Sequence, residues 1–284
     1  MRPDTPDPIA RLEALAERHR TPCGAGGMVW RAWGAGPPLV LFHGASGAWS
    51  HWIRNVEPLA RRFRVWAPDL PGFGDSGDCP EPQTADTLAD VAAAGLDALV
   101  PPPARLDLAG FSLGGIVAGL VAARLGTRVR TLVLLGAGGM GYRRETPLPE
   151  LVRVPHGAPE ADAREAHREN LRRLMLGDPA AADDLAVRIH AENLRRARFK
   201  SGTIPQSDVL LRALPAVTAR LAGIWGERDA YGAAFRAHGH ATLARFAPGL
   251  ELRVVPGSGH WTIYEAADRV NAALLEILHA GARA

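Results

Sequence analysis

Short apolar runs alternate with amphipathic stretches along most of the chain. Several of the apolar runs are hydrophobic at nearly every position, which is typical of strands covered on both faces. Strands are predicted at 28–33, 39–43, 64–67, 106–110, 131–135, 221–225 and 252–255, and helices at 52–62, 84–99, 113–125 and 265–279. Strands that alternate with helices predict an α/β fold with a mostly parallel sheet and helices on both faces.

The alternation stops between residues 141 and 214. That segment has helical patterns, few strand candidates and breaks at Pro155, Pro159 and Pro179. We therefore expect a core made of residues 1–140 and 215–284, with a helical insertion at 141–214.

Composition places the chain among globular proteins and argues against several kinds of partner. Hydrophobic residues make up 47% of the 284 residues and charged residues 22%, with a net charge of +3. The positive residues are mostly arginines scattered among acids, so no stripe for nucleic-acid binding is predicted. No apolar run is long enough to span a membrane, and the first 20 residues lack the apolar core of a signal peptide. We expect a cytoplasmic protein with no membrane partner; its oligomeric state is left open.

The sequence gives no sign of a disulfide framework or a metal site. Cys23 and Cys79 are far apart in sequence and have no Cys-x-x-Cys spacing. His238 and His240 are close together, but no third ligand stands at a fitting distance along the chain. The predicted chemistry therefore uses neither a metal nor another cofactor.

One serine stands in a local context that favours catalysis. In the segment LDLAGFSLGG, Ser112 lies between Gly110 and Gly114, after a predicted strand and before a predicted helix. The G-x-S-x-G turn requires this context, because its tight backbone excludes side chains at the flanking positions. It would hold the serine oxygen at the positive end of the helix. The alternative is a glycine-rich turn with an incidental serine.

A serine nucleophile needs a base and a carboxylate that orients the base. Asp229 follows the predicted strand at 221–225, and His260 lies in a glycine-rich loop after the strand at 252–255. The order Ser112, Asp229, His260 is the order that the G-x-S-x-G architecture uses. Glu227, two residues before Asp229, is the alternative orienting carboxylate.

The negative oxygen of an acyl-transfer intermediate needs hydrogen-bond donors. After the strand at 39–43 the chain turns at Gly44, which places the backbone N–H of Ala45 as one candidate. The N–H of Leu113, directly after the serine, is the second. An ordinary strand-to-helix turn at 43–47 is the alternative interpretation.

Five segments together carry a family resemblance. LFHGASG, APDLPGFGDSG, LAGFSLGG, IWGERD and PGSGHW resemble, in order and spacing, the motifs of the α/β-hydrolase superfamily. The resemblance covers about residues 25–140 and 215–280. It implies an α/β-hydrolase core and a helical insertion that forms a cap over the active site.

The resemblance implies a cofactor-free serine hydrolase for a small carboxylic ester or a related carbonyl substrate. Ser112 argues against dehalogenases and epoxide hydrolases, whose nucleophile is an aspartate. Acyltransferases and perhydrolases use the same triad and stay open as alternatives. A receptor on a hydrolase fold, without catalysis, is a further alternative.

One subgroup shares additional features with the chain. In hydrolases of meta-cleavage products, which split a carbon–carbon bond, a tryptophan follows the catalytic histidine and a cap arginine grips the substrate carboxylate. Trp261 matches the first feature, and Arg198 in ENLRRARF resembles the second. Phe111 departs from the asparagine that those enzymes typically carry before the nucleophile. The expected substrate contacts are Trp261, Arg198 and Phe111, and the alternative for Arg198 is an ordinary surface residue of the cap.

Overall fold

The fold is built on one twisted sheet, seen in a computed structural model that describes residues 7–144, 147–154, 157–247 and 249–281. The sheet order is β1-β2-β4-β3-β5-β6-β7-β8. Its strands are β1 Glu17–Cys23, β2 Gly26–Trp33, β3 Pro38–Phe42, β4 Arg64–Pro68, β5 Leu106–Phe111, β6 Val129–Leu135, β7 Arg220–Gly226 and β8 Glu251–Val255. Only β2 runs antiparallel to its neighbours; all other pairs are parallel. The predicted α/β class is confirmed.

Helices cover both faces of this sheet. They are α1 Pro8–Leu15, α2 Val56–Ala60, α3 Ala85–Leu99, α4 Leu113–Leu125, α5 Glu160–Asn170, α6 Asp184–Arg196, α7 Val209–Ala213, α8 Ala233–Ala244, α9 Thr262–Glu265 and α10 Ala267–Gly281. The apolar core on one face contains side chains of α3, α4 and α8. The core on the other face contains side chains of α2 and α10. None of the helices in the described ranges is long and apolar enough to cross a bilayer.

Several elements differ from the sequence prediction, which names neither helix α1 nor helix α8. The edge strand β1 is missing from it, because the segment ERHRTPC buries only Thr21 and Cys23 and has no apolar run. Charges on such an edge discourage pairing with another chain. The helix predicted at 52–62 is a 3₁₀ turn at Trp49–Trp52 followed by the short α2, with Pro58 in the first turn, where proline is tolerated. The last predicted helix, 265–279, corresponds to α10, and the short α9 precedes it and ends at Glu265.

Helices are the only long regular elements that the structure describes in the segment 141–214, and loops connect them. The segment contains α5, α6 and α7 and no strand in its described residues. Pro159 directly precedes α5, and Pro179 begins a short 3₁₀ turn, whereas Pro155 lies outside the described residues. The last helix, α7, packs on the core, where a Cβ at Gly119 of α4 would lie 2.2 Å from Leu210. The division into core and insertion stays a prediction.

A buried ion pair connects the loops that follow β3 and β4. Arg31 of β2 bonds the carboxylate of Asp69 at 2.9 Å, and both side chains are almost fully buried. The same carboxylate accepts the backbone N–H groups of Trp49 at 2.8 Å and Asp75 at 2.9 Å. Asp69 therefore holds the segment after β3 and the turn after β4 in one arrangement.

Removal of this carboxylate should destabilise the fold. We expect Asp69→Ala to lower the free energy of unfolding by about 3–5 kcal/mol, because it leaves a buried guanidinium partly unpaired. Asp90→Ala, which breaks an exposed pair with Arg124, should cost less than about 1 kcal/mol and serves as the control. Urea unfolding followed by circular dichroism measures both. Equal losses would show that the Asp69 pair contributes no more than a surface contact.

Candidate active site

Ser112 stands at a tight turn between β5 and α4. Its backbone angles are φ 53° and ψ −117°, in a region that residues other than glycine rarely adopt. A Cβ at Gly110 would lie 2.2 Å from the carbonyl oxygen of Gly114, and a Cβ at Gly114 would lie 2.3 Å from that of Phe42. These contacts are with backbone atoms that cannot move aside. The two glycines are therefore required by the close approach of α4 to the sheet.

Ser112 opens onto two cavities that share it with Ala45, Tyr231 and His260. The first, the α6-side cavity, has a volume of about 200 Å³. Its other lining residues are Ser46, His51, Phe111, Leu151, Asn170, Leu174, Met175, His190 and Leu194. The second, the loop-side cavity, has a volume of about 170 Å³. Its other lining residues are Gly136, Gly138, Tyr142, Arg144, Leu148, Ser201, Gly202, Pro205, Gln206 and Phe235.

A larger cavity of about 680 Å³ lies elsewhere on the protein and includes Arg54, Glu57 and Tyr264 in its lining. None of the three predicted triad residues lines it. We therefore place the candidate site at the two smaller cavities, because Ser112 and His260 line both of them.

The imidazole of His260 is held by Asp229. Nδ1 of His260 lies 2.8 Å from Oδ2 of Asp229, and both side chains are buried. The other carboxylate oxygen accepts the backbone N–H of Tyr231 at 2.9 Å. Glu227 instead accepts the backbone N–H of Gly257 on the exposed surface. Asp229, rather than Glu227, is therefore placed to orient the imidazole, and a proton on Nδ1 leaves Nε2 free as a base.

Gly136, at the end of β6, makes room for this pair and was missed by the sequence analysis. Its φ is +56°, and a Cβ there would lie 3.1 Å from Cε1 and 3.3 Å from Nδ1 of His260. A side chain at this position would press on the imidazole. The one available signal, a glycine directly after a predicted strand, is too common to have identified it.

Glu265 holds the loop that carries His260, and it was also missed. Its carboxylate accepts the N–H of Gly259 at 2.7 Å and the N–H groups of Gly177 at 2.9 Å and Asp178 at 2.6 Å. Gly177 and Asp178 belong to the segment 141–214. The carboxylate therefore ties the histidine loop to the predicted cap.

The predicted oxyanion donors lie beside the serine. A Cβ at Gly44 would be 3.3 Å from Cβ of Ser112 and 2.9 Å from the ring of Phe111, so the turn after β3 packs directly on the elbow. Within the described residues, the N–H groups of Ala45 and Leu113 donate to no protein atom. Both N–H groups are therefore available to a ligand oxygen.

His43 fixes the orientation of one of these donors. Its Nε2 accepts the N–H of Leu70 at 2.9 Å, so Nδ1 carries the proton and donates to the carbonyl oxygen of Gly44 at 2.8 Å. That carbonyl belongs to the same peptide group as the N–H of Ala45. Burial lowers the pKa of His43, which favours the neutral imidazole. The hydrogen bond to the Gly44 carbonyl therefore fixes the peptide group whose N–H would bind the oxyanion.

Of the three expected substrate contacts, Phe111 lines a cavity at Ser112, whereas Trp261 and Arg198 do not. Phe111 lines the α6-side cavity, with its ring centroid 5.0 Å from that of His260. Trp261 is 1% exposed and lines neither cavity; its indole N–H donates to the carbonyl of His51 at 3.2 Å, and its ring stacks on Tyr264 at 4.3 Å. Trp261 is therefore placed to support the wall behind the cavity rather than to touch a substrate.

Arg198 does not face the serine, contrary to the expectation from its sequence context. α6 ends at Arg196, and the backbone N–H of Arg198 bonds the carbonyl of Gly72 at 2.8 Å. Its half-exposed guanidinium bonds Asp78 at 2.5 Å and the carbonyl of Arg196 at 2.9 Å. The expectation that Arg198 binds a substrate carboxylate is therefore wrong, because its side chain is hydrogen-bonded outside both cavities.

Two further histidines form an uncharged wall in the α6-side cavity. Nδ1 of His51 accepts the N–H of Gly44 at 3.3 Å. Burial lowers the pKa of His51 well below its usual range and that of His190 to about 4.

The described residues contain no group of three or more histidine, cysteine or acidic side chains that could hold a metal ion.

The sheet, the turn at Ser112 and the His260–Asp229 pair together define an α/β-fold hydrolase. The sequence pattern of the Alpha/beta hydrolase family matches residues 39–273, and the chain belongs to this family.

Known proteins of three kinds are similar to the chain. It is 34% identical over 206 residues to a pimeloyl-acyl-carrier-protein methyl ester esterase of Chromobacterium violaceum, covering 69% of this chain and 78% of that protein. It is 31% identical over 258 residues to the dihydrolipoyllysine-residue acetyltransferase component of the acetoin cleaving system of Pseudomonas putida; the match covers 86% of this chain but only 64% of that protein. A solved structure of a meta-cleavage product hydrolase from Pseudomonas fluorescens IP01 superimposes with a TM-score of 0.72 at 25% identity, covering 92% of this chain and 97% of that one.

The neutral histidine wall predicts a loss of stability in acid. An unfolded chain protonates His190 near its ordinary pKa of about 6.5, whereas the folded protein does so only near 4. Between these values the unfolded state binds more protons, so stability falls as the pH is lowered. From pH 7 to pH 5 we expect this histidine alone to account for about 1–2 kcal/mol of the loss.

The measurement compares urea unfolding at pH 7 and pH 5 in the wild type, in His190→Gln and in the exposed control His279→Gln. His190→Gln should lose less stability on acidification than the other two proteins. The same pH dependence in all three would contradict the assignment of a neutral His190 in the folded protein.

Proposed function

We propose that the chain hydrolyses a small carboxylic ester through a Ser112–His260–Asp229 triad. The observation that carries the proposal is the 2.8 Å contact between His260 and Asp229, in a pocket wall shared with Ser112. No hydrogen bond joins Ser112 to His260 among the described residues. Catalytic hydrogen bonds are often long without substrate and tighten in the complex.

In this proposal the hydroxyl oxygen of Ser112 attacks the ester carbonyl while Nε2 of His260 takes its proton. The N–H groups of Ala45 and Leu113 stabilise the oxyanion of the tetrahedral intermediate. The imidazolium then gives its proton to the leaving alcohol, and an acyl-enzyme forms. A water molecule, deprotonated by the same nitrogen, attacks the acyl group and releases the acid and free Ser112.

The segment 141–214 supports the proposed role of a cap. Asn170, Met175 and His190 contribute to the wall of the α6-side cavity. Ser201 and Gln206 contribute to the wall of the loop-side cavity. A substrate at Ser112 would therefore be enclosed partly by the predicted insertion.

Carbon–carbon bond hydrolysis is the second candidate, because of the similarity to a meta-cleavage product hydrolase. Two positions weigh against it. Phe111 stands where an asparagine is typical, and Arg198 lines neither cavity. Ester hydrolysis needs only the triad and the oxyanion donors, so the geometry favours it. Transfer of the acyl group to an acceptor other than water would use the same intermediate and is told apart by its products.

Loss of the nucleophile tests the proposal directly. Ser112→Ala should keep the circular dichroism spectrum and lower kcat for p-nitrophenyl butyrate by at least about 10³-fold, because only binding and the oxyanion donors remain. A fluorophosphonate should label the wild-type peptide that contains Ser112, as read by mass spectrometry. Near wild-type turnover in Ser112→Ala would refute the assignment.

The two neighbouring acids provide a matched pair of substitutions. Asp229→Asn should lower kcat by about 10⁴-fold, because the amide favours the wrong imidazole tautomer. Glu227→Gln should change kcat less than about threefold, since it bonds only a loop N–H on the surface. Steady-state kinetics on the same ester measures both. A larger loss in Glu227→Gln would show that the two acids have been misassigned.

A further inference from the structure

One cation lines the candidate site without an acidic partner among the residues that the structure describes. Arg144 lines the loop-side cavity together with Ser112 and His260. Among the described residues no carboxylate bonds its guanidinium, and its Nε is buried with no hydrogen-bond partner. Other arginines of the segment 141–214, such as Arg196 and Arg198, are each paired with an acid. Arg144 thus keeps donors that a ligand can use.

The guanidinium is positioned by an aromatic ring next to the catalytic histidine. Its central carbon lies 4.7 Å from the ring centroid of Tyr231, a cation–π distance. The same ring is 4.6 Å from the centroid of His260. These two spacings place the guanidinium carbon within about 10 Å of the imidazole. The backbone of Tyr231 is in turn held by Asp229.

The lining of the loop-side cavity leaves the charge of Arg144 uncompensated. The described residues that line this cavity include no aspartate or glutamate. A partly buried guanidinium with an unbonded N–H raises the free energy of the folded protein unless a ligand accepts the hydrogen bond. A carboxylate fits the planar guanidinium, because its two oxygens can accept two parallel hydrogen bonds. A phosphate monoester, with a charge near −2, would exceed what this single cation balances.

We propose that Arg144 binds a carboxylate of the substrate, so that the enzyme prefers esters that carry a second, free carboxyl group near the scissile bond. This proposal rests on the proposed ester hydrolysis and names its substrate class. Arg144 is a substrate-binding residue here; the bond-breaking steps are unchanged. Neutral esters of the same length remain substrates but gain nothing from the guanidinium.

The test compares kcat/KM for methyl hydrogen glutarate and for methyl butyrate. Arg144→Gln should lower kcat/KM for the acidic ester by about 30-fold or more, mainly through KM, because it removes a charge-assisted bidentate contact. The neutral ester should change less than about twofold. Arg143→Gln, an exposed neighbour, is the matched control and should resemble the wild type on both esters. An equal loss on both esters, or no loss on either, together with no selective loss on the alcohol-side substrate 4-acetoxybutanoate, would overturn the proposal.

A second substrate locates the carboxylate within the ester. In methyl hydrogen glutarate the free carboxylate is on the acyl side, whereas in 4-acetoxybutanoate it is on the alcohol side. A selective loss in Arg144→Gln on either substrate supports the proposal and shows which side of the ester meets the guanidinium. Absence of a selective loss on both overturns it.

A binding measurement separates this proposal from the hydrolysis on which it rests. Calorimetric titration of Ser112→Ala with glutarate should give a dissociation constant about 30-fold weaker when Arg144→Gln is added. Carboxylate binding that depends on Arg144, without turnover of any ester, would refute the proposed hydrolysis but keep the subsite. Hydrolysis without any dependence on Arg144, in kinetics and in binding, would refute the subsite alone.

Discussion

The close approach of α4 to β3 and β5 is the constraint on which the candidate site depends. Gly110 and Gly114 bring backbone atoms to distances at which no Cβ fits, and Ser112 accepts an unfavourable φ of 53° as a result. The carbonyl of Phe42, at the end of β3, lies directly against Gly114. The chain leaves β3 at that point and becomes the turn with the oxyanion donors. Serine and donors are thus fixed relative to each other by backbone packing, which flexible side chains could not achieve.

The base is positioned by different means. His260 lies in a loop, and its place depends on hydrogen bonds that cross between distant segments. Glu265 binds the N–H groups of Gly259 and Gly177, and the N–H of Trp261 donates to the carbonyl of Met175 at 2.7 Å. Both contacts reach into the segment 141–214. Movement of that segment therefore bears on the imidazole as well as on the cavity wall, whereas the rigid elbow would be unaffected.

The parts of the structure that sequence could predict are those with a local signal. Continuous apolar runs identified the buried strands, and the glycine spacing around Ser112 identified the elbow. β1 had no such signal, because an edge strand with one buried face needs few apolar residues. Arg198 was misplaced because nothing local indicates that the chain turns away after α6. Arg144 was missed for the opposite reason: a loop arginine among polar residues looks like a surface charge until tertiary packing sets it beside Tyr231.

The two cavities beside Ser112 differ more in charge than in volume. They measure about 200 and 170 Å³, so size alone would let either end of a small ester enter either one. In the α6-side cavity, burial keeps His51 and His190 neutral near pH 7. In the loop-side cavity, Arg144 supplies a positive charge, and no acid among the described lining residues cancels it. Electrostatics would accordingly orient a substrate with one charged and one neutral end. In the reversed orientation its carboxylate would lie among uncharged imidazoles, and the guanidinium would have no partner.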